Sequence, residues 1–258
     1  MKKQGAPHAS GSLKSGSDVR AMFGRIVGGY DLMNRLMTGG RDVAWRNLAV
    51  RAALSGYPRG TAEIVDVATG TGDLALALSA AGAKDVVGVD FAEPMLRAAA
   101  AKSGPASGDG AVSWVVADAM ALPFADDTFD ACTVAFGLRN MPDYQQALVE
   151  MTRVLRPGGR LVCLEMTPLR TPLVGVAFGW YFETVVPLVG GLLSGDRDAY
   201  RYLPASVAAF PDAPTLKRMM DHAGLSQVTF RKLGGGTVAL HTGVKERREA
   251  TVSRRTDA

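Results

Sequence analysis

Residues 63–73 read Glu63-Ile64-Val65-Asp66-Val67-Ala68-Thr69-Gly70-Thr71-Gly72-Asp73. The apolar run is short, β-branched and stopped by glycine, which favours a buried strand, Ile64 to Ala68, over a buried helix. Strong helix formers follow, Leu74 to Leu78, so a helix starts near Gly72. Gly70 and Gly72 allow a tight turn and leave bare amides for a ligand to lie against. The helix dipole there favours a carboxylate or a phosphate. A nucleotide-like ligand at the mouth of the first parallel strand is the expectation.

The turn alone leaves the ligand open. Gly70-x-Gly72-x-x-Ala75 fits the loose dinucleotide fingerprint, with Asp90 at about the right distance for a ribose acid. Asp66 is the first discriminating residue, because a dinucleotide site usually has an apolar side chain there. A carboxylate suits a ligand with an ammonium group, such as the methionine half of S-adenosylmethionine. Equally, Asp66 can simply cap the turn through its own backbone.

Outward from this stretch, strands and helices alternate. Val86 to Asp90 is a second strand, and a helix opens at Glu93-Pro94. A Gly/Ser/Pro linker, 103–110, leads to a third strand, Val112 to Ala117, which ends in Asp118-Ala119. A fourth runs from Ala131 to Phe136, and Tyr144 to Leu155 is a helix that Arg156-Pro157-Gly158-Gly159 closes. The fifth strand is Arg160 to Glu165. This alternation predicts an α/β fold with a doubly wound, mostly parallel sheet. Thr215 to Ala223 is a helix; Val228 to Phe230 and Thr237 to Leu240 then close the sheet as an antiparallel hairpin, with His241 at its end. Asp66, Asp90 and Asp118 fall at the ends of three successive strands. In register they suit an adenosine ligand: Asp90 for the ribose hydroxyls, Asp118 for the exocyclic amine, Leu122-Pro123-Phe124 as apolar surface near the ring. None has a metal-binding spacing.

Upstream, Val19, Met22, Phe23 and Ile26 recur at helical spacing, Gly28-Gly29 interrupts them, and Trp45, Leu48, Ala49 and Ala52 mark a second helix. These helices (18–60) are either a lid, with Tyr30 and the methionines lining it, or plain packing. Downstream, residues 172–194 carry one group charged at neutral pH, Glu183. Pro187 and four glycines argue against a membrane span. Short helices over an apolar pocket fit better, with Trp180, Tyr181 and Phe182 toward an isoprenoid tail or a bilayer surface, unless they are only core.

Composition bounds the rest. The 258 residues are 47% hydrophobic and 21% charged, enough for one globular domain with a substantial core. The net charge of +4 is concentrated in the tails, 1–20 and 245–258, which together hold about +5 and leave the body near −1. No nucleic-acid face is implied. Cys132 and Cys163 read as small core residues in a reducing, cytoplasmic setting. The first residues lack a signal peptide's apolar segment.

Four segments carry a resemblance: Asp66–Asp73, Asp118-Ala-Met-Ala-Leu-Pro-Phe124, Phe136-Gly-Leu-Arg-Asn140 and Arg156-Pro-Gly-Gly159. Together they resemble class I methyltransferases, and more narrowly the ubiquinone/menaquinone biosynthesis C-methyltransferase family. Tyr30-Asp-Leu-Met-Asn34, Tyr200-Arg-Tyr-Leu203 and Val238-Ala-Leu-His241 fit as well, from about Val19 to Lys245. The resemblance implies a Rossmann-like fold with N-terminal lid helices and a helical insertion. It implies one domain, 18–244, with a substrate cover at 172–203, between a disordered tail at 1–17 and a charged tail at 245–258. It implies S-adenosylmethionine as cofactor, with Thr71, Asp90, Asp118 and Ala119 matching the family's cofactor contacts; Asp66, Gly70 and Gly72 complete the set. Ala135 stands where the family often has serine, so a side-chain contact from that position is not expected.

The implied reaction is methyl transfer to a ring carbon of a prenylated hydroquinone, in menaquinone or in ubiquinone biosynthesis. Arg139 would stabilise the developing phenolate, since a guanidinium cannot act as a base, and Asn140 would orient the same oxygen. Water, Tyr200, His241 or Glu165 could take the proton. Peripheral membrane contact and a homodimer are compatible partners. The rivals are another small-molecule methyltransferase, a nicotinamide-dependent dehydrogenase, against which Asp66 and Asp118 argue, and a binding-only regulator.

Overall fold

A computed structural model describes residues 16–103, 111–169 and 197–247. The segment at 172–196, both outer tails and most of the linker lie outside the described residues, as do the side chains of Met33, Met37 and Tyr200, so the expectations for them are not addressed by it.

Seven strands form one sheet: β1 (Glu63–Val67), β2 (Asp85–Asp90), β3 (Val112–Val116), β4 (Phe129–Ala135), β5 (Leu155–Met166), β6 (Leu225–Leu233) and β7 (Val238–Lys245). Their order is β3-β2-β1-β4-β5-β7-β6. The first five run parallel, and β7 lies antiparallel to both β5 and β6. The order reverses between β1 and β4, and open α/β sheets bind ligands outside the carboxyl ends of their strands at such a point.

Alternation along β1 loads both faces of the sheet: Ile64 joins one core cluster while Val65 and Val67 join the other. On the Ile64 face pack α2 (Arg41–Ala53) and α3 (Asp73–Ala80), through Trp45, Ala49, Leu74 and Leu78. On the opposite face pack α5 (Tyr144–Arg153) and α7 (Ala213–His222), through Leu148, Met151, Leu216 and Met220. The helix α4 (Glu93–Ser103) follows β2. A smaller cluster joins α1 (Gly16–Thr38) to α6 (Arg197–Ala209): Val19, Met22 and Ile26 bury against Tyr202 and Val207.

Several sequence expectations need correction. Helix α1 runs unbroken through Gly28-Gly29, anchored by buried Val19, Met22 and Ile26 before the pair and by partly buried Tyr30 after it. β5 begins before the Arg156-Pro157-Gly158-Gly159 turn. Phe129 pairs with Leu155 and Ala131 with Arg160, so the ladder absorbs the turn as an irregularity. The hairpin strands are longer than their apolar cores, and His241 lies in the middle of β7, opposite Cys163. Cys132 and Cys163 are free and fully buried, and burial raises both thiols.

Candidate functional site

Above the carboxyl ends of β1, β2 and β4 lies a cleft with two lobes that share Tyr30, Ala68, Gly70, Ala135 and Phe136. Tight backbone makes it. Ala68 and Phe136, each following its strand, have φ of 52° and 59°, a left-handed conformation uncommon for residues with side chains. Between them Gly137 leaves room: a Cβ there would sit 2.5 Å from that of Ala68. Gly72 caps α3 at φ 83°, and Trp114 and Ala99 pack too closely for any side chain.

The larger lobe encloses about 770 Å³, counting space open to solvent. Its walls are mostly apolar, with Val89, Phe91, Met95, Ala117, Ala119 and Met120 on one side and Phe23, Tyr30, Met141 and Pro142 among the others. Asp90, Asp118, Gly137 and Asn140 supply the polar points. Asp90 is 6% exposed. Its Oδ2 accepts from the Gly70 amide at 2.8 Å and its Oδ1 from the Ala92 amide at 2.9 Å. Burial raises its pKa, and these amides oppose the rise. Asp118 is exposed, with Oδ1 accepting from the Met120 amide at 2.9 Å.

The smaller lobe, about 360 Å³, is polar. Arg46, Asp66, Thr69, Thr71 and Asp73 line it. Both oxygens of Asp66 accept hydroxyl bonds of 2.6 Å, from Thr69 and from Thr133. Burial nevertheless pushes this carboxyl up to about 6. Thr71 donates to Asp31 of α1 at 2.6 Å, and Lys102 bridges Asp31 and Asp73. Arg46, paired with Asp42 one turn earlier and 3.5 Å from Asp73, is the cation of this lobe. The sequence reading missed it, although the Asp42-x-x-x-Arg46 spacing beside buried Trp45 marked a helix face turned inward.

Arg139 sits in the short 3-10 turn Leu138–Asn140 that follows β4. Its Nη1 donates to Glu165 Oε1 at 2.7 Å and to the Phe136 carbonyl at 2.5 Å, while Nε has no partner. Burial works to lower its pKa, but the Glu165 carboxylate prevails and holds it above the ordinary value. The Glu165 carboxylate also accepts from the Met166 amide. Asn140 lines the larger lobe directly; Arg139 stands behind that wall.

The cleft thus gathers Asp66, Gly70, Thr71, Asp90, Asp118, Ala119 and Asn140. Gly72 shapes the turn from behind. Tyr30 lines both lobes, in line with the lid reading of α1. Leu122 and Phe124 do not reach the cleft: Leu122 is core, and Phe124 packs edge-on against Phe129. Phe91, Met95 and Met120 supply the apolar wall instead. His241 lines neither lobe. Its Nε2 lies 2.9 Å from the Ala213 carbonyl and so carries the proton there, and burial lowers its pKa.

This division fits S-adenosylmethionine. A flat base and a ribose suit an apolar slot with an acid at its rim. An amino-acid head, carrying both charges, suits a lobe offering Arg46 for a carboxylate and Asp66 and Asp73 for an ammonium. Among the described residues no cluster of His, Cys, Asp and Glu could hold a metal ion, and no helix is long and apolar enough to cross a membrane.

Residues 11–245 match the ubiE/COQ5 methyltransferase family. The chain is 50% identical to the demethylmenaquinone methyltransferase of Thermus thermophilus over 86% of its own length and 99% of that protein's. It is 46% identical to the ubiquinone/menaquinone biosynthesis C-methyltransferase UbiE of Syntrophotalea carbinolica, over 90% and 96%. Among solved structures, a SAM-dependent methyltransferase from Thermotoga maritima superposes with a TM-score of 0.58 at 20% identity, covering 88% of this chain and 100% of that one. The [4+2]-cyclase SpnF superposes at 0.61 and 17% identity, over 93% and 100%. SpnF, a cyclase, carries a different reaction on a similar fold, so fold similarity by itself assigns no chemistry.

Proposed function

Because this chain belongs to the ubiE/COQ5 methyltransferase family, we propose that it is an S-adenosylmethionine-dependent C-methyltransferase that converts demethylmenaquinol to menaquinol. The observation that carries this reading is the 50% identity to a demethylmenaquinone methyltransferase over nearly that protein's full length. The two-lobed cleft supports it independently, by matching the two chemically unlike halves of the cofactor. The equivalent step in ubiquinone biosynthesis is the second reading, favoured by the relative whose name covers both pathways.

When bound, the cofactor supplies a methyl group already activated on a positive sulfur, so the protein needs no nucleophile of its own. Its task is alignment and electron supply. Alignment can contribute on the order of 7–11 kcal/mol in favourable cases. Arg46 would take the cofactor's carboxylate, Asp66 its ammonium, Asp90 its ribose and Asp118 its base. The quinol ring would lie against the Phe136–Asn140 turn. There the Arg139 charge favours the ionised ring hydroxyl, and Asn140 orients that oxygen. As the ring carbon gains the methyl group it loses its proton. Glu165 is committed to Arg139, and His241 lies outside the cleft lining. That leaves water or Tyr200 as the acceptor. The quinol is the expected partner; contact with a membrane surface and homodimer formation are further parts of the proposal, with the cytoplasmic face as the site of action.

The test is to incubate the protein with S-adenosylmethionine and, in parallel, a reduced prenylated naphthoquinol and a reduced prenylated benzoquinol. Mass spectrometry then reads any carbon-bound methyl. Faster methylation of the naphthoquinol is expected. Preference for the benzoquinol would move the assignment to the ubiquinone step. No product from either, with cofactor binding intact, would overturn quinol methylation in favour of another acceptor or a binding-only role.

A further inference from the structure

The base side of the cleft is walled by Ala117, Asp118, Ala119 and Met120. The last three begin a strap, 118–126, that runs between β3 and β4 without being a strand or a helix. Its own backbone does little to hold it: Ala121 donates to the Asp118 carbonyl at 3.0 Å, within an isolated bridge. Three side chains of α5, on the outside of the sheet, grip it instead. Gln146 Nε2 donates to the Met120 carbonyl at 3.4 Å. Glu150 Oε2 accepts from the Leu122 amide at 3.0 Å. Arg153 donates from Nη2 to the Leu122 carbonyl at 3.0 Å and from Nη1 to the Phe124 carbonyl at 2.8 Å. Arg153 also closes back on Glu150, through Nε at 2.9 Å and Nη2 at 2.9 Å. A planar fork that satisfies two carbonyls while its partner takes the Leu122 amide just before them fixes both the position and the rotation of that peptide segment.

We propose that Glu150 and Arg153, which line neither lobe, are positioning residues that set how tightly and how selectively the cleft reads the cofactor's base. This rests on the methyltransferase reading and names a determinant of cofactor selectivity within it. The argument is geometric. The carboxylate of Asp118 is oriented by the Met120 amide, two residues along the strap. The strap in turn takes its position from the clamp. Hydrogen bonds to a base edge weaken steeply with misalignment. The smaller lobe and the Phe136–Asn140 turn stand on β1 and β4 and include no residue of the strap. Loosening the clamp should therefore cost base recognition and spare the chemistry.

The experiment compares S-adenosylhomocysteine with S-inosylhomocysteine, in which an oxygen replaces the exocyclic amine, by calorimetry on wild type, Arg153→Met, Arg153→Lys and Glu150→Gln. Lys245→Met is the stability control. It removes Lys245 contacts to Asp127 and to the Arg153 and Leu155 carbonyls at the same end of the sheet, but none to the Leu122 or Phe124 backbone. Wild type should prefer the adenine ligand, since a site built to hydrogen-bond an amine rejects its oxygen analogue. Arg153→Met should weaken the adenine ligand about tenfold or more and bring the ratio of the two affinities toward one. Arg153→Lys should restore part of the ratio. Turnover at saturating cofactor should stay near the wild-type rate while the cofactor KM rises. Should Arg153→Met fail to fold, the near-isosteric Glu150→Gln is the deciding variant. An unchanged ratio in the folded variant, or an equal collapse in Lys245→Met, would overturn the clamp and leave the enzyme assignment standing. Wild type that binds neither ligand would overturn the functional reading, and this inference with it.

Discussion

Glu63 and Asp66 lie three residues apart in β1, at opposite ends of one strand, and the protein drives them in opposite directions. At the amino end, Glu63 pairs with Lys84 at 2.5 Å and with Arg156 at 2.6 Å, and these bonds hold its carboxyl down at about 2. Arg156 also reaches Asp130, whose Oδ2 accepts from the Glu63 amide, while its backbone carbonyl accepts from the Tyr57 hydroxyl. Every group there has a partner and access to water. At the carboxyl end, burial lifts Asp66 to about 6, Asp90 rises as well, and Arg139 keeps an unpartnered buried N–H. Ala68 and Phe136 add strained backbone, at a cost on the order of 1–3 kcal/mol each. One edge of the sheet is relaxed, while the other holds desolvated charge in place for a ligand.

The largest blow to this contrast should come from Arg139→Ala. It strands Glu165 as a buried charge, so stability should fall by about 3–5 kcal/mol. Turnover should drop on the order of a hundredfold or more, with cofactor affinity nearly unchanged. Thermal unfolding, quinol turnover and calorimetry on the one variant separate these effects, and wild-type activity would end the oxyanion role.

Next comes Asp90→Ala, which removes the acceptor for the Gly70 and Ala92 amides as well as the proposed ribose contact. Affinity for S-adenosylhomocysteine should weaken by about 2–3 kcal/mol. Calorimetry that shows no loss would remove Asp90 from the site.

A pH series sharpens the comparison further. Asp66 has its folded pKa near 6, above the roughly 3.9 of an unfolded Asp. The native protein therefore holds an extra proton between those values, and this group's contribution to stability declines as pH rises through that window. An ammonium prefers the ionised carboxylate, so cofactor affinity should instead climb as pH rises through about 6 and level off above it. Asp66→Asn should lose that inflection; a variant that keeps it would assign the titration to another group.

The smallest effect is expected at the relaxed edge. Glu63→Gln exchanges partly exposed ion pairs for neutral bonds and should cost less than about 1 kcal/mol. Its depressed pKa means that this contribution is present above about pH 4.5 and is lost as pH falls toward about 2. Cofactor affinity should match wild type; a large drop would show that the two edges are coupled.

The legible parts of this molecule are those written in local pattern. The β-branched run before Gly70, the alternation of strands and helices and the acids at the strand ends all come from short-range chemistry, and they located the cleft. Boundaries were harder where tertiary packing overrides local signals. Gly28-Gly29 looks like a break, but α1 packs through buried Val19, Met22 and Ile26 before it and partly buried Tyr30 after it. Pro157-Gly158 looks like a stop, but the neighbouring strand keeps pairing around it. Arg46, Phe91 and Met95 carry no motif; they enter the cleft only because the helices and loops that bear them fold over the same strand ends.

By itself, then, the sequence determined the class of fold, the glycine turn, the ligand edge and the resemblance that names the chemistry, because turns and strand ends are read from neighbouring residues. Only the tertiary structure decided that Arg139 is paired with Glu165, that His241 lines neither lobe of the cleft, and that the strap around Asp118 is gripped from α5. Those outcomes depend on which side chains meet across the sheet, and on how much water is left between them.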